Sequence, residues 1–389
     1  MRHGVCFVSA FMLSRHRRRL NSDRKPVQRH TIALALASLA VAIAAVTLLT
    51  QPVWKPYAKR WRWFVISTNV YQDLLRRTGL KHDQIGQGSF ERPLSEVPAA
   101  LARIDDIFTG TLHHLDLLPD DLEGRAVLEV GPGDNIGVAL RFVAAGAARV
   151  VSIDKFVPMQ TSRFHQALYQ ALRRELTPTE QARLDAAIDL GSADGAAAVR
   201  LKDGSLTYVY GRGIEDARDR LGRQSFDLIV SNAVLEEVYD IDTTLDALDD
   251  VLRPGGEQLH KIDLSDYGMF TKHGFHPLEF LTITDPVYRL MVESTGQPNR
   301  RRIDYYRAKS DGYGYDTRIY TTAIVGRDGE FVPPRATVQA GRDYGERTLA
   351  TVRAIRPRLL ARYQRLSDED LMVQGIVLVT RKPAARARR

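Results

Sequence analysis

Four short runs rich in aliphatic residues, Ala126–Val130 (AVLEV), Arg149–Asp154 (RVVSID), Phe226–Asn232 (FDLIVSN) and Glu257–Leu264 (EQLHKIDL), alternate with helical stretches through the middle of the chain. Their apolar residues are nearly continuous, so each run is expected to be buried on both faces. That is the condition of a parallel sheet covered by helices on either side. The expected fold class is α/β, a doubly wound and mostly parallel sheet. The chain has 389 residues, 44% hydrophobic and 26% charged, enough for one large or two modest domains.

The first run stops abruptly in VLEVGPGDNIGVAL, Val127 to Leu140, where a Gly-Pro-Gly turn separates strand from helix. In a doubly wound sheet the ligand crevice lies beyond the carboxyl ends of the strands. A glycine turn there lets a nucleoside approach the backbone, and a helix amino terminus favours negative charge. Gly131 and Gly133 supply the bare backbone, and Asp134 follows in the same turn. An acidic residue closing the next strand would accept hydrogen bonds from ribose hydroxyls, and Asp154 stands at that place.

Glu129-x-Gly131-x-Gly133, then Asp154, then FDLIVSNAVLEEV at Phe226–Val238 and LRPGG at Leu252–Gly256 resemble the ordered signature of class I S-adenosylmethionine-dependent methyltransferases. The resemblance runs over roughly Leu122 to Leu264 and implies a Rossmann-like sheet with S-adenosyl-L-methionine as cofactor. On that reading Glu129, Gly131, Gly133 and Asp134 hold the methionine end, Asp154 holds the ribose, and Asn232 stands near the reacting centre. The adenine contact falls in YVYGRGIED, with Ile214 and Glu215 as candidates. Asn135 takes the place of the family's third glycine, and Gly137 follows it. GPGDNIG, SNAVLEEV, HKIDLSDYG, HPLEFL and DLMVQGIVLVTRKP are similar to a bacterial methyltransferase subgroup of largely uncharacterised substrate, often associated with cell-surface glycan or secondary-metabolite pathways. Glu237 stands where that subgroup commonly has histidine, and Ser265 where it often has arginine. A nicotinamide-dependent oxidoreductase would share the glycine turn but would not call for LRPGG. A catalytically silent cofactor-binding membrane partner would share the whole pattern.

Methyl transfer to a hydroxyl requires an oriented acceptor and removal of its proton. His260, Asp263 and Asp266 gather at the carboxyl end of the fifth strand and are the expected catalytic group, with His260 as base. In a continuous strand His260 and Asp263 point to opposite faces, so they converge only if the strand ends between them. Glu236, Glu237, His273 and His276 are the alternatives. The interval 269–344 reads as an acceptor-binding insertion or cap after the fifth strand. Within it PNRRRIDYYR, Pro298–Arg307, has the arginines and tyrosines that suit a phosphate, carboxylate or sugar face, or a solvated basic helix end.

Ahead of this core, Thr31–Thr50 carries no charge and as a helix would be about 30 Å long, the thickness of a bilayer core. Trp54, Trp61 and Trp63 follow it among basic residues, as an interfacial aromatic cluster would. A single amino-terminal membrane helix is expected. Both its flanks are basic, and because the cofactor is made in the cytoplasm the catalytic domain is expected there. The net charge of +8 sits largely in end segments such as RHRRR at Arg15–Arg19 and ARARR at Ala385–Arg389. With no RNA motif, zinc spacing or internal repeat, neither nucleic acid nor a metal is expected, and the single Cys6 excludes an internal disulfide. The expected organisation is a basic tail over 1–30, the membrane helix over 31–50, and a helical extension over 51–120. The cofactor-binding core spans 121–268, the insertion 269–344, a closing helix and strand 345–383, and a basic tail 384–389. The expected acceptor is a glycan, a lipid-linked molecule or a small polar molecule, methylated on oxygen.

Overall fold

A computed structural model describes residues 55–80, 92–155, 163–191, 199–202 and 204–384. The chain divides at Ala58. Of the first unit, Met1–Ala58, the described part is the short helix Lys55–Ala58. The apolar run Thr31–Thr50 and the basic segments Arg15–Arg19 and Ala385–Arg389 lie outside the described residues. Among the described residues no helix is long and apolar enough to cross a membrane.

The second unit, Lys59–Arg389, is built on nine strands among its described residues. They are β1 (Ala126–Val130), β2 (Arg149–Asp154), β3 (Ile188–Asp189), β4 (Arg200–Leu201), β5 (Leu206–Tyr210), β6 (Phe226–Asn232), β7 (Leu252–Asp263), β8 (Asp316–Ile324) and β9 (Val373–Arg381). Seven of them form one sheet in the order β5-β2-β1-β6-β7-β9-β8, parallel from β5 to β7, with β9 antiparallel to both of its neighbours. The longer helices are α1 (Arg62–Arg77), α2 (Val97–Leu115), α3 (Gly137–Ala144), α4 (Arg163–Glu175), α5 (Pro178–Ala187), α6 (Ile214–Leu221), α7 (Ile241–Val251), α8 (Asp285–Val292), α9 (Ile303–Gly312) and α10 (Glu346–Ile355).

The continuous apolar runs have the expected cause. In β1, Val127 joins a core with residues of α2 to α5, while Leu128, pointing the other way, joins a second core with residues of α6, α7 and α9. A third apolar cluster lies under α1, α8 and α10 and takes in Met269, Phe270 and Leu278 from the segment after β7. The LRPGG segment leads into β7 through a bulge. The pairing jumps from Phe226–Leu252 to Leu228–Glu257, leaving Arg253–Gly256 out of the ladder.

One expectation changes. The interval 269–344 is not wholly an insertion, because β8 completes the edge of the sheet and Ile303 and Tyr306 of α9 belong to its second core. Of the four arginines of Pro298–Arg307, Arg300 and Arg302 are interior struts, while Arg301 and Arg307 are exposed. Arg302 is 1% exposed and donates to the carbonyls of Leu264 (2.5 Å), Leu371 (3.0 Å) and Val373. Arg300 donates to the carbonyls of Phe280 (3.2 Å) and Ile283 (2.6 Å), and its guanidinium lies 3.8 Å from the Tyr288 ring centroid. Tyr305, Tyr313 and Tyr315 meet Asp242, Asp246 and Asp249, carboxylates one turn apart on α7, and so fasten α9 and the residues just after it to α7.

Candidate active site

The chain runs outward from β1 to β2 and β5, then returns to the other side of β1 through β6 and β7. The crevice therefore opens above the carboxyl end of β1, where the strand order reverses. Gly131 and Gly133 both sit there with left-handed backbones, at φ 68° and 73°. They are glycines for different reasons. A Cβ on Gly131 would come within 2.4 Å of Val234 Cγ2, whereas one on Gly133 would enter open space. That open side is the cradle in which a ligand can reach bare backbone. Asp154, half-buried at the end of β2, brings Oδ2 within 3.3 Å of the Gly133 amide, so the acidic residue and the glycine turn form one site.

Beneath the turn lies a polar row. Glu129, Ser152 and Tyr208 are register partners across β1, β2 and β5, and Ser152 Oγ donates to Glu129 Oε2 at 2.5 Å. Burial pushes the Glu129 carboxyl up to about 7. The Tyr208 hydroxyl is buried without a hydrogen-bond partner, and burial, with Asp154 and Glu129 nearby, raises its pKa. Nothing in its local sequence marks Tyr208, because its position arises from pairing with distant strands.

Asp134 is buried and engaged within the protein, where Arg92 donates to Oδ2 at 2.5 Å and Asn135 to Oδ1 at 2.8 Å. Ile214 is 3% exposed and belongs to the core, so its side chain supports the turn after β5 from below. Glu215 is half-buried there and accepts from Thr244 Oγ1 at 3.5 Å. Asn232 ends β6 and is half-buried, and Ala233 after it takes a left-handed backbone at φ 56°.

The expected convergence of His260, Asp263 and Asp266 does not occur. Strand β7 continues to Asp263, so alternation keeps His260 and Asp263 on opposite faces. His260 is 1% exposed, with Nδ1 at 2.7 Å from Ser231 Oγ and Nε2 at 3.0 Å from Gln258 Oε1, and burial pushes its pKa down to about 3. It faces α9, lining a small cavity with Tyr306, Tyr313 and Tyr315. Asp263 accepts from Ser265 N at 2.7 Å. Asp266 is wholly engaged in fastening the following turn, accepting from the amides of Gly268 (2.9 Å), Phe270 (2.7 Å) and Thr271 (2.9 Å) and from Thr271 Oγ1 (2.7 Å). His276 is similarly committed, to Thr351 O and the Leu278 amide. His273 is half-buried in the short helical turn Thr271–His273.

A different group meets where the ends of β6 and β7 come together. Tyr267, at φ 52°, donates its hydroxyl to Glu236 Oε1 at 2.8 Å, and the Asp263 amide donates to the same oxygen at 3.0 Å. Glu236 Oε2 is buried without a hydrogen-bond partner, and burial pushes this carboxyl up to about 8. Glu237, next in sequence, keeps part of its side chain at the surface, yet crowding by its neighbours, with Asp154 adding its charge, pushes it up to about 7. Left-handed non-glycine residues at Ala233 and Tyr267 frame this pair of carboxyls.

Residues 128–259 match the methyltransferase-domain family, a span that includes the glycine turn, Asp154 and the carboxylate pair. Residues 128–259 are a methyltransferase domain. Among solved structures the chain is similar to phosphoethanolamine N-methyltransferase 2 of Haemonchus contortus, with 13% identity and a TM-score of 0.37 over 76% of this chain and 59% of that one. It thus spans about three fifths of the length of the Haemonchus enzyme, whose structure contains phosphomonomethylethanolamine and S-adenosylhomocysteine. An S-adenosylmethionine-dependent methyltransferase of Mesorhizobium loti is 14% identical, with a TM-score of 0.36 over 72% of this chain and all of that one. An arsenic(III) S-adenosylmethionine methyltransferase of Chlamydomonas reinhardtii is 19% identical, with a TM-score of 0.35 over 76% and 75% of the two chains. Likeness at this level sets no substrate. No curated protein matches the chain.

Proposed function

We propose that this methyltransferase methylates an oxygen of a polar acceptor, lipid-linked or glycan-bearing, at a membrane. The observation that carries this reading is the pair Glu236 and Glu237 beside Tyr267, at the strand ends next to Asp154. The cofactor supplies an electrophilic methyl group, and the protein's task is to hold the acceptor hydroxyl in line and accept its proton. Glu237, titrating near neutrality, has the right proton affinity to act as base. Glu236 titrates higher and is anchored by Tyr267 and the Asp263 amide, so it serves as a neutral, fixed wall. Gly131, Gly133, Asp154 and Asn232 would hold the cofactor. The uncharged run Thr31–Thr50 supports a membrane location, with the catalytic domain on the cytoplasmic side where the cofactor is made.

Membranes from cells lacking the protein, incubated with the full chain and S-adenosylmethionine labelled in its methyl group, test the reading. Label is expected in the glycolipid fraction as a base-stable methyl ether. Cofactor binding with no label transferred to any fraction would favour the silent-partner reading instead.

A further inference from the structure

Helix α1 has an inner face of Phe64, Val65, Ile66 and Asp73, all buried. Its outer stripe is unusual for a helix on a protein surface. Trp63 is 70% exposed, Tyr71 38% and Leu74 54%, and with Ser67 between them they follow one another at helical spacing. Trp61, just before the first turn, is 62% exposed, and Leu290 of α8, which packs on α1, is 51% exposed. Solvated helix faces ordinarily carry charge, and this stripe carries none.

The surrounding charge is equally one-sided. Asp73, the only acidic residue of α1, is buried against Arg77 and the Ser294 amide. The nearby carboxylates Glu279 and Glu293 are taken by Arg62 at 2.9 Å and Arg77 at 2.7 Å. Arg60 is exposed at the front of the helix. Tryptophan, tyrosine and leucine on a basic helix with no free carboxylate are the features of a segment lying in the headgroup layer of an anionic bilayer. In the sequence, the uncharged run Thr31–Thr50 ends shortly before Trp61.

We propose that the outer face of α1 is a lipid-docking surface, with Trp61, Trp63, Tyr71 and Leu74 seated among anionic headgroups. The proposal rests on the membrane reading above and deepens it. Val65 and Ile66, on the inner face of α1, share one apolar core with Met269 and Phe270, which follow Tyr267 in the turn fastened by Asp266. The docked helix is thereby joined to the acceptor side of the crevice, which fits an acceptor whose tail stays in the bilayer.

All three tryptophans of the chain, Trp54, Trp61 and Trp63, fall in this region, so intrinsic fluorescence reports on it alone. The full chain carrying Trp54→Phe is reconstituted into vesicles of equal parts phosphatidylglycerol and phosphatidylcholine with brominated acyl chains. Emission from Trp61 and Trp63 is expected to be blue-shifted and quenched by the brominated lipid, and shielded from iodide in the aqueous phase. Leu74→Glu is expected to reduce the lipid quenching while S-adenosylmethionine binding, which confirms the fold, is unchanged. Vesicle flotation separates the two failures. If the protein floats with its vesicles but Trp61 and Trp63 stay open to iodide, the docking surface is refuted and the anchor survives. Shielding from both quenchers would assign the face to a protein partner and overturn the proposal. A chain that does not float removes both.

Discussion

Tyr267 and Glu236 join the ends of two strands through one hydrogen bond of 2.8 Å, and Tyr267 makes it from a left-handed backbone at φ 52°. A bulky residue rarely adopts that conformation, and such strain persists only where the surroundings hold it in place. Here Asp266 fastens the turn from below with four hydrogen bonds, leaving the Tyr267 hydroxyl over the two carboxyls. The geometry fixes Glu236 and leaves Glu237 partly open to the crevice.

The rate of methyl transfer is expected to follow the ionisation of Glu237. Its carboxyl titrates at about 7, so activity should rise with pH through that value and then level off. Glu237→Gln should lower the maximal rate by about 100- to 10,000-fold and abolish that rise, with S-adenosylmethionine affinity unchanged. Initial rates on the labelled membrane acceptor between pH 5.5 and 8.5, roughly the span over which such a carboxyl titrates, supply the test. An unaltered profile in the variant would remove Glu237 as the base.

The two glycines of the turn should respond differently to alanine. Gly131→Ala combines a left-handed backbone with a collision at Val234, and each costs about 1–3 kcal/mol. At Gly133 only the backbone cost applies, since its Cβ would enter open space. Urea denaturation should therefore find Gly131→Ala the less stable of the two. Gly133→Ala should stay folded and lose S-adenosylmethionine affinity in calorimetry, because its methyl group occupies the cradle. Equal stability losses with cofactor affinity intact would contradict this account of the turn.

Much of the core was legible because burial on both faces leaves a plain trace. The runs read at Ala126–Val130, Arg149–Asp154 and Phe226–Asn232 are strands with those bounds. The same logic explains the miss at β8. It is an edge strand whose first five residues are exposed or half-buried, and DTRIYTTAI has no continuous apolar run. The catalytic group misled for a geometric reason, since a strand continuing three residues past His260 reverses the direction of Asp263. Tyr267 left no signal, because a left-handed tyrosine looks in sequence like any loop residue. Arg302 satisfies backbone carbonyls from segments some 40 and 70 positions away, a partnership that composition cannot reveal.

Arg302 ties the segment ahead of α9 to the ends of β7 and β9, and its loss should be felt across the sheet. Arg302→Met removes the guanidinium but leaves the carbonyls of Leu264, Leu371 and Val373 buried without that donor. Each such group costs about 1–3 kcal/mol, so a total loss of at least about 3 kcal/mol is expected. Arg302→Lys should recover part of it, since an ammonium can reach some but not all of the three carbonyls. Thermal and urea unfolding of the two variants give the comparison. A loss within about 0.5 kcal/mol, the range of ordinary surface changes, would show that the buried guanidinium is replaceable by packing alone.

His260 should reveal itself through the pH dependence of stability. Its pKa falls from the ordinary 6.5 to about 3 in the folded protein, because burial disfavours the imidazolium between Ser231 and Gln258. The unfolded chain therefore binds a proton that the folded one refuses between those two values. The stability this confers is fully present above about pH 6.5 and is lost as pH falls towards 3, at up to about 1.4 kcal/mol per pH unit. His260→Gln keeps a polar side chain at the site but has no proton to take up. The variant is expected to be weakened at pH 7 by the altered hydrogen bonds, yet to lose less further stability between pH 6.5 and 4.5 than the parent does. Urea midpoints across that range, with the slope m held constant, measure the difference. Parallel curves for the two proteins, or an NMR titration placing His260 near 6.5, would show the ring to be solvated and would return it to consideration as a base.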